Sequence, residues 1–147
     1  MASISKVTTT INASPQKVWE NFMNPENLKY WLTGFVSAQH LTGTPGEAGS
    51  TSKLKFMERG REMEITETVL FSKPYEQYSC RMEHTSFMVE SDVRFVSFGN
   101  HTELIQTIQL TPQGFFMKLL TPFIKGEMKK RTLTELLKLK ILIESKT

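Results

Sequence analysis

Between Phe35 and Leu110 the chain alternates apolar and polar residues with period two, whereas the segments on either side carry the longer period of a helix. The alternating region divides at turn residues into short runs rich in β-branched and aromatic side chains. Phe35 to Leu41 is the first predicted strand, closed by the loop Thr44-Pro45-Gly46-Glu47-Ala48-Gly49. Thr51 to Glu58 and Arg61 to Phe71 form a hairpin across Arg59-Gly60, and Lys73-Pro74-Tyr75 is a turn. Gln77 to His84 follows, and Phe87 to Phe98 then pairs with Thr102 to Leu110 across Gly99-Asn100-His101. Ahead of the alternating region, Ser5 to Ile11 is rich in β-branched residues and is also a predicted strand. Connections this short favour an antiparallel meander.

Three helix starts share one signal, a side chain able to cap followed at once by proline: Ser14-Pro15, Asn24-Pro25 and Thr121-Pro122. After Ser14, the residues Val18, Trp19 and Phe22 mark one face of a short amphipathic helix that ends near Asn24. A second, shorter helix covers Glu26 to Leu32 and is stopped by Gly34. Residues 115–146 read as helix, with Thr121-Pro122 resetting it and Phe123 to Glu144 running unbroken. Its expected apolar stripe is Phe123, Leu133, Leu136, Leu137 and Ile141, with Lys129, Lys130, Lys138 and Glu135 on or near the other face.

At 147 residues, 39% hydrophobic and 22% charged, the chain suits one globular domain, 1–147, and is no disordered polymer. Its apolar stretches are too short and too interrupted to span a bilayer. The opening Met-Ala-Ser-Ile-Ser-Lys lacks the apolar core of a signal peptide. Cys80 is the single cysteine, so no internal disulfide forms, and a cytoplasmic location is the default expectation. The net charge of +3 is unevenly spread: residues 1–114 hold 10 Lys/Arg against 12 Asp/Glu, residues 115–147 hold 8 against 3. Lys125, Lys129, Lys130, Arg131, Lys138 and Lys140 therefore form a basic C-terminal segment. A solvated helix face is the ordinary account of such a segment. Weak contact with an anionic membrane surface comes next, and no motif supports nucleic acid.

The order of elements resembles the helix-grip superfamily, which includes START domains, birch-pollen-allergen-like proteins and polyketide cyclase/dehydrase-like families. The likeness lies in Ile11-Asn12-Ala13-Ser14-Pro15-Gln16-Lys17-Val18-Trp19 and in Asn24-Pro25-Glu26-Asn27-Leu28-Lys29-Tyr30-Trp31. It continues through Gly46-Glu47-Ala48-Gly49-Ser50 and the closing helix with Leu139-Lys140 and Glu144, and so covers essentially the whole chain. The resemblance implies an α+β fold in which a seven-stranded curved antiparallel sheet wraps a long C-terminal helix. Two short helices lie between strands one and two. These motifs mark helix entries and turns rather than chemistry. The superfamily includes carriers, receptors, cyclases and chaperone activators, so the fold alone chooses no function.

In such a fold the concave face of the sheet meets the helix, and a ligand would sit between them. Alternation places Met63, Ile65, Glu67, Val69 and Phe71 on one face of their strand, and Tyr78, Cys80 and Met82 on one face of the next. Val89, Ser91, Val93 and Phe95 follow, then Thr102, Leu104, Gln106, Ile108 and Leu110, with Leu54 and Phe56 joining from the earlier hairpin. Trp31, Phe116, Leu120 and Phe123 would close the ends. Each large apolar residue of this set also suits a dry core. The richness in Met and aromatics, together with Glu67 and Gln106, points instead to a cavity for a small hydrophobic ligand.

Glu67 is the one candidate for acid–base work, since burial would raise its pKa. The commoner fate of such a residue is a surface carboxylate paired with Lys or Arg of a neighbouring strand. An enzyme of the cyclase or aromatase type would use Glu67 with Tyr78 or Arg81. A module of the chaperone-activating type would instead use the outer surface, through an exposed apolar patch. His40, His84 and His101 share no metal-ligand spacing with one another or with Cys80, and no metal or cofactor is expected. No GxSxG, Walker loop or GxGxxG is present, which removes the usual support for acyl-hydrolase, NTPase and dinucleotide readings.

Overall fold

A computed structural model describes the backbone of residues 3–146 and the side chains of residues 4–114 and 126–146. The expected roles of Phe116, Leu120 and Phe123 fall on side chains outside that description. Seven strands form one antiparallel sheet: β1 (Ser3–Ile11), β2 (Phe35–Thr42), β3 (Thr51–Glu58), β4 (Arg61–Lys73), β5 (Gln77–Glu83), β6 (Phe87–Phe98) and β7 (His101–Pro112). Their order across the sheet is β1-β7-β6-β5-β4-β3-β2, a meander from β2 to β7 closed by β1. Helices α1 (Pro15–Met23) and α2 (Leu28–Trp31), joined by a 3-10 turn (Pro25–Asn27), lie between β1 and β2. Helix α3 (Phe115–Glu144) closes the fold.

The first two capping signals act as read. Ser14 Oγ accepts from the Lys17 amide at 3.2 Å and Asn24 Oδ1 from the Glu26 amide at 3.0 Å, each with proline in the first turn. The third does not. Helix α3 begins at Phe115 behind Gly114 and runs through Thr121-Pro122 without a restart. Both tight hairpins use backbone that the side chains permit: Arg59 and Gly60 have φ of 50° and 79°, as a primed turn needs, and Gly99 has φ of 61°.

Two phase errors separate the sequence reading from the structure. Phe71 does not share the inward face, because a β-bulge between Val69 and Phe71 flips the end of β4, leaving Phe71 opposite Ser79 and 45% exposed. The stripe of α3 is also turned. Leu136, Leu139 and Ile143 are fully buried, while Leu133, Leu137 and Ile141 are 42%, 44% and 68% exposed. The segment carries apolar residues on nearly every side, so its own pattern does not fix which side packs.

The C-terminal half of α3 packs against β1, β7 and α1. Val7, Ile11, Val18, Trp19, Phe95 and Leu104 form a solid core with Leu136, Leu139 and Ile143. Lys140 Nζ donates to the Thr10 carbonyl at 2.7 Å, and the Asn12 amide donates to Glu144 at 2.9 Å, so α3 is tied to the end of β1. The part of the concave face nearest β1 is thereby covered. Among the described residues no helix is long and apolar enough to cross a membrane.

Candidate functional site

The rest of the concave face leaves open space. Between β2–β7, α1, α2 and the middle of α3 lies a cavity of about 740 Å³. Alternation brings Leu54 and Phe56 of β3, Met63, Ile65 and Glu67 of β4, and Tyr78, Cys80 and Met82 of β5 to its wall. Val89 and Val93 of β6, Gln106 and Ile108 of β7, and Trp31 of α2 join them. Leu104, expected with this group, is absent from the wall. It is fully buried in the solid core, paired across the sheet with Thr9 and Phe95. Arg81, a suggested acid–base partner, lies on the opposite face of β5, where its guanidinium is 3.8 Å from Glu90. Exposed Pro25, Ala38, His40 and Pro45 border the cavity, so it opens to solvent beside β2 and its loop.

Glu67 sits inside this space rather than on the convex surface. Burial pushes its carboxyl pKa up, against the lowering effect of bonds from the Cys80 thiol and the Tyr78 hydroxyl. Burial and the adjacent Glu67 carboxylate likewise raise the Tyr78 phenol and the Cys80 thiol. Further along the floor, Gln106 Nε2 donates to Ser91 Oγ at 3.0 Å. The Trp31 indole N–H is buried without a partner among the described residues.

A second polar group on the wall was not foreseen. Glu135, assigned by pattern to the polar side of the helix, faces the cavity beside Met128, Arg131 and Thr132. Glu135 Oε2 accepts from the Thr33 amide at 2.8 Å, and Arg131 donates through Nη2 to the Thr33 carbonyl at 2.7 Å and through Nη1 to Glu58. Burial raises the Glu135 pKa despite the Thr33 bonds and Arg131. The i,i+4 spacing of Arg131 and Glu135 was the available signal, masked by their place in a basic run. Among the described residues no group of three or more His, Cys, Asp or Glu could hold a metal ion.

A curved antiparallel sheet gripping one long helix beside an apolar, open cavity defines a helix-grip protein. The chain belongs to the polyketide cyclase / dehydrase and lipid transport family, whose model matches residues 2–139. No curated protein sequence matches the chain. Among solved structures it is similar to the Zhui aromatase/cyclase of Streptomyces sp. R1128, with a TM-score of 0.83, 12% identity, and coverage of 98% of this chain and 94% of that one. A START superfamily protein of Mycobacterium smegmatis gives 0.78, 14%, 98% and 99%, and a protein of Thermus thermophilus gives 0.81, 16%, 99% and 99%. At these identities the likeness is one of fold.

Proposed function

We propose that residues 1–147 act as one unit that binds or carries a small hydrophobic molecule in the cavity between the sheet and α3. The supporting observation is that open space of about 740 Å³, walled mainly by apolar side chains while the rest of the same concave face is packed solid. A ligand burying about 300 Å² of apolar surface there gains about 7 kcal/mol before the costs of association. The residues proposed to touch it are those of the wall named above. Thermal melting against a broad apolar library, with native mass spectrometry of protein from its own host, tests the reading. A raised melting temperature or a co-purifying small molecule is expected, and a flat response to the whole library overturns it.

Contact with an anionic membrane surface belongs to the same reading as a loading step. In its support, exposed Lys129, Lys130 and Lys138 flank exposed Leu133, Leu137 and Ile141 on α3. Arg131 and Lys140 are spent on bonds within the protein.

A second reading is favoured by one observation: the Glu67 carboxyl, the Tyr78 hydroxyl and the Cys80 thiol share one wall of the cavity. That arrangement suits acid–base chemistry of the cyclase or aromatase type, with Glu67 as the proton carrier. Turnover that is lost in Glu67→Gln while binding persists would establish it. Turnover unchanged in that variant would remove it.

A further inference from the structure

The next inference rests on the cavity-binding function just proposed and concerns which apolar molecules the cavity accepts. The polar groups of its floor run diagonally across the strands rather than being scattered. Glu67 on β4, Cys80 on β5, Ser91 on β6 and Gln106 on β7 stand on four consecutive strands. Cys80 is a diagonal neighbour of Glu67 and stands opposite Ser91 in the ladder, and Ser91 accepts from Gln106, its diagonal neighbour on β7, at 3.0 Å. With strands roughly 4.8 Å apart, the row crosses about 14 Å of the sheet. Ile65, Val69, Val89, Val93 and Ile108 border it with apolar surface.

The row has bonding capacity to spare. The Ser91 hydroxyl hydrogen, the second Gln106 amide hydrogen and the Gln106 carbonyl oxygen are used by no bond among the described residues. A bare hydrocarbon that displaced water from the row would leave these groups unpaired. A carboxylate would fare no better. Arg131 is the one Lys or Arg among the described residues of the wall, and its guanidinium is engaged by Glu58, the Thr33 carbonyl and Glu135. His40 bonds the Gly43 carbonyl at 2.7 Å. Among the described residues an anionic head group would therefore meet two carboxyl residues, Glu67 and Glu135, and no unengaged cation.

We infer that the cavity selects a neutral, oxygen-bearing hydrophobe, with hydroxyl or carbonyl groups on an apolar skeleton, over both a carboxylate and a bare hydrocarbon. The row Glu67–Cys80–Ser91–Gln106 reads those oxygens.

Three probes built on one skeleton test this: biphenyl, 4,4′-dihydroxybiphenyl and biphenyl-4-carboxylate, titrated against the full chain at neutral pH by calorimetry. The dihydroxy compound is expected to bind about tenfold more tightly than biphenyl, and the carboxylate most weakly, since a site with unpaired polar groups penalises a ligand that cannot satisfy them. Ser91→Ala and Gln106→Leu are each expected to remove most of the dihydroxy compound's advantage over biphenyl, read as the ratio of the two affinities in each variant. Ser91→Ala is the milder change and keeps the test informative if Gln106→Leu fails to fold. Equal binding of the three probes, or tightest binding of the carboxylate, overturns the selectivity and leaves the cavity function standing. An advantage that survives both substitutions also overturns it. Binding of none of the three overturns both.

Discussion

Thr33 gives its amide to Glu135 at 2.8 Å, and the same residue gives its carbonyl to Arg131 one helical turn earlier on α3. The connection from α2 into β2 thus has its main-chain polar groups satisfied by the helix that walls the cavity. Removing one member should strand the others. Glu135→Ala or Arg131→Ala is expected to cost about 1–3 kcal/mol, because each leaves a partly buried polar group without its partner. The joint replacement Arg131→Ala with Glu135→Ala should cost less than the sum of the two single changes. Urea unfolding of the four proteins checks this, and strict additivity would show that the two side chains act separately.

Glu67 makes stability depend on pH in a direction opposite to ordinary acid denaturation. Its folded pKa lies above the usual 4.5 because burial disfavours the charged carboxylate. The stabilising contribution is therefore fully present below 4.5 and is lost as pH rises through the folded value. Among the described residues, Tyr78, Cys80, His40, Arg131 and Glu135 are the other titratable groups on the wall, and Glu135 shifts in the same direction. Glu67→Gln should be more stable than the parent at pH 7.5, with the gap closing as pH falls through the raised folded value and gone by about 4.5. Denaturation midpoints from pH 4 to pH 8 provide the measurement; parallel curves would place Glu67 in an environment no different from water.

Gly34 and Gly60 both have positive φ, 72° and 79°, yet they should respond differently to alanine. A Cβ at Gly34 would stand 2.5 Å from the Met57 carbonyl oxygen, on the backbone that receives β2, whereas a Cβ at Gly60 would meet open space. Gly34→Ala is expected to cost about 2 kcal/mol or more, combining strain with a clash, and Gly60→Ala about 1 kcal/mol from strain alone. Melting temperatures of the two variants test the ranking, which equal losses would contradict.

The orientation of α3 can be checked by truncation on its two sides. Leu136→Ala should cost about 2–5 kcal/mol as a fully buried site, and Leu137→Ala less than about 1 kcal/mol. The reverse ranking would turn the helix by about a quarter of a revolution.

The sheet was legible because strict alternation over short hairpins leaves little freedom: once Tyr78, Cys80 and Met82 face inward, register carries Val89, Ser91 and Val93 with them. Phe71 was misplaced because the bulge at Leu70 has no glycine or proline to announce it. Leu104 sits on the predicted face but under the wrong half of α3, and alternation says nothing about where along a strand a helix makes contact. Arg131 and Glu135 were hidden for a related reason. Leu133, Leu136, Leu137, Leu139 and Ile141 surround the helix, so the pattern offers two stripes, and only tertiary packing on β1 selects one. Thr33 lies in a connection with no periodicity at all.

The pairing of β1 with β7 has a consequence for how the molecule is made. The first strand ends at Ile11, but its partner begins only at His101, so nearly the whole meander must leave the ribosome before that edge is covered. At about 5–20 residues per second this is a wait of roughly 5–20 seconds, with Val7 and Ile11 unsheltered meanwhile. Newly synthesised chains should therefore be most vulnerable to aggregation late in translation, just before the last strand arrives.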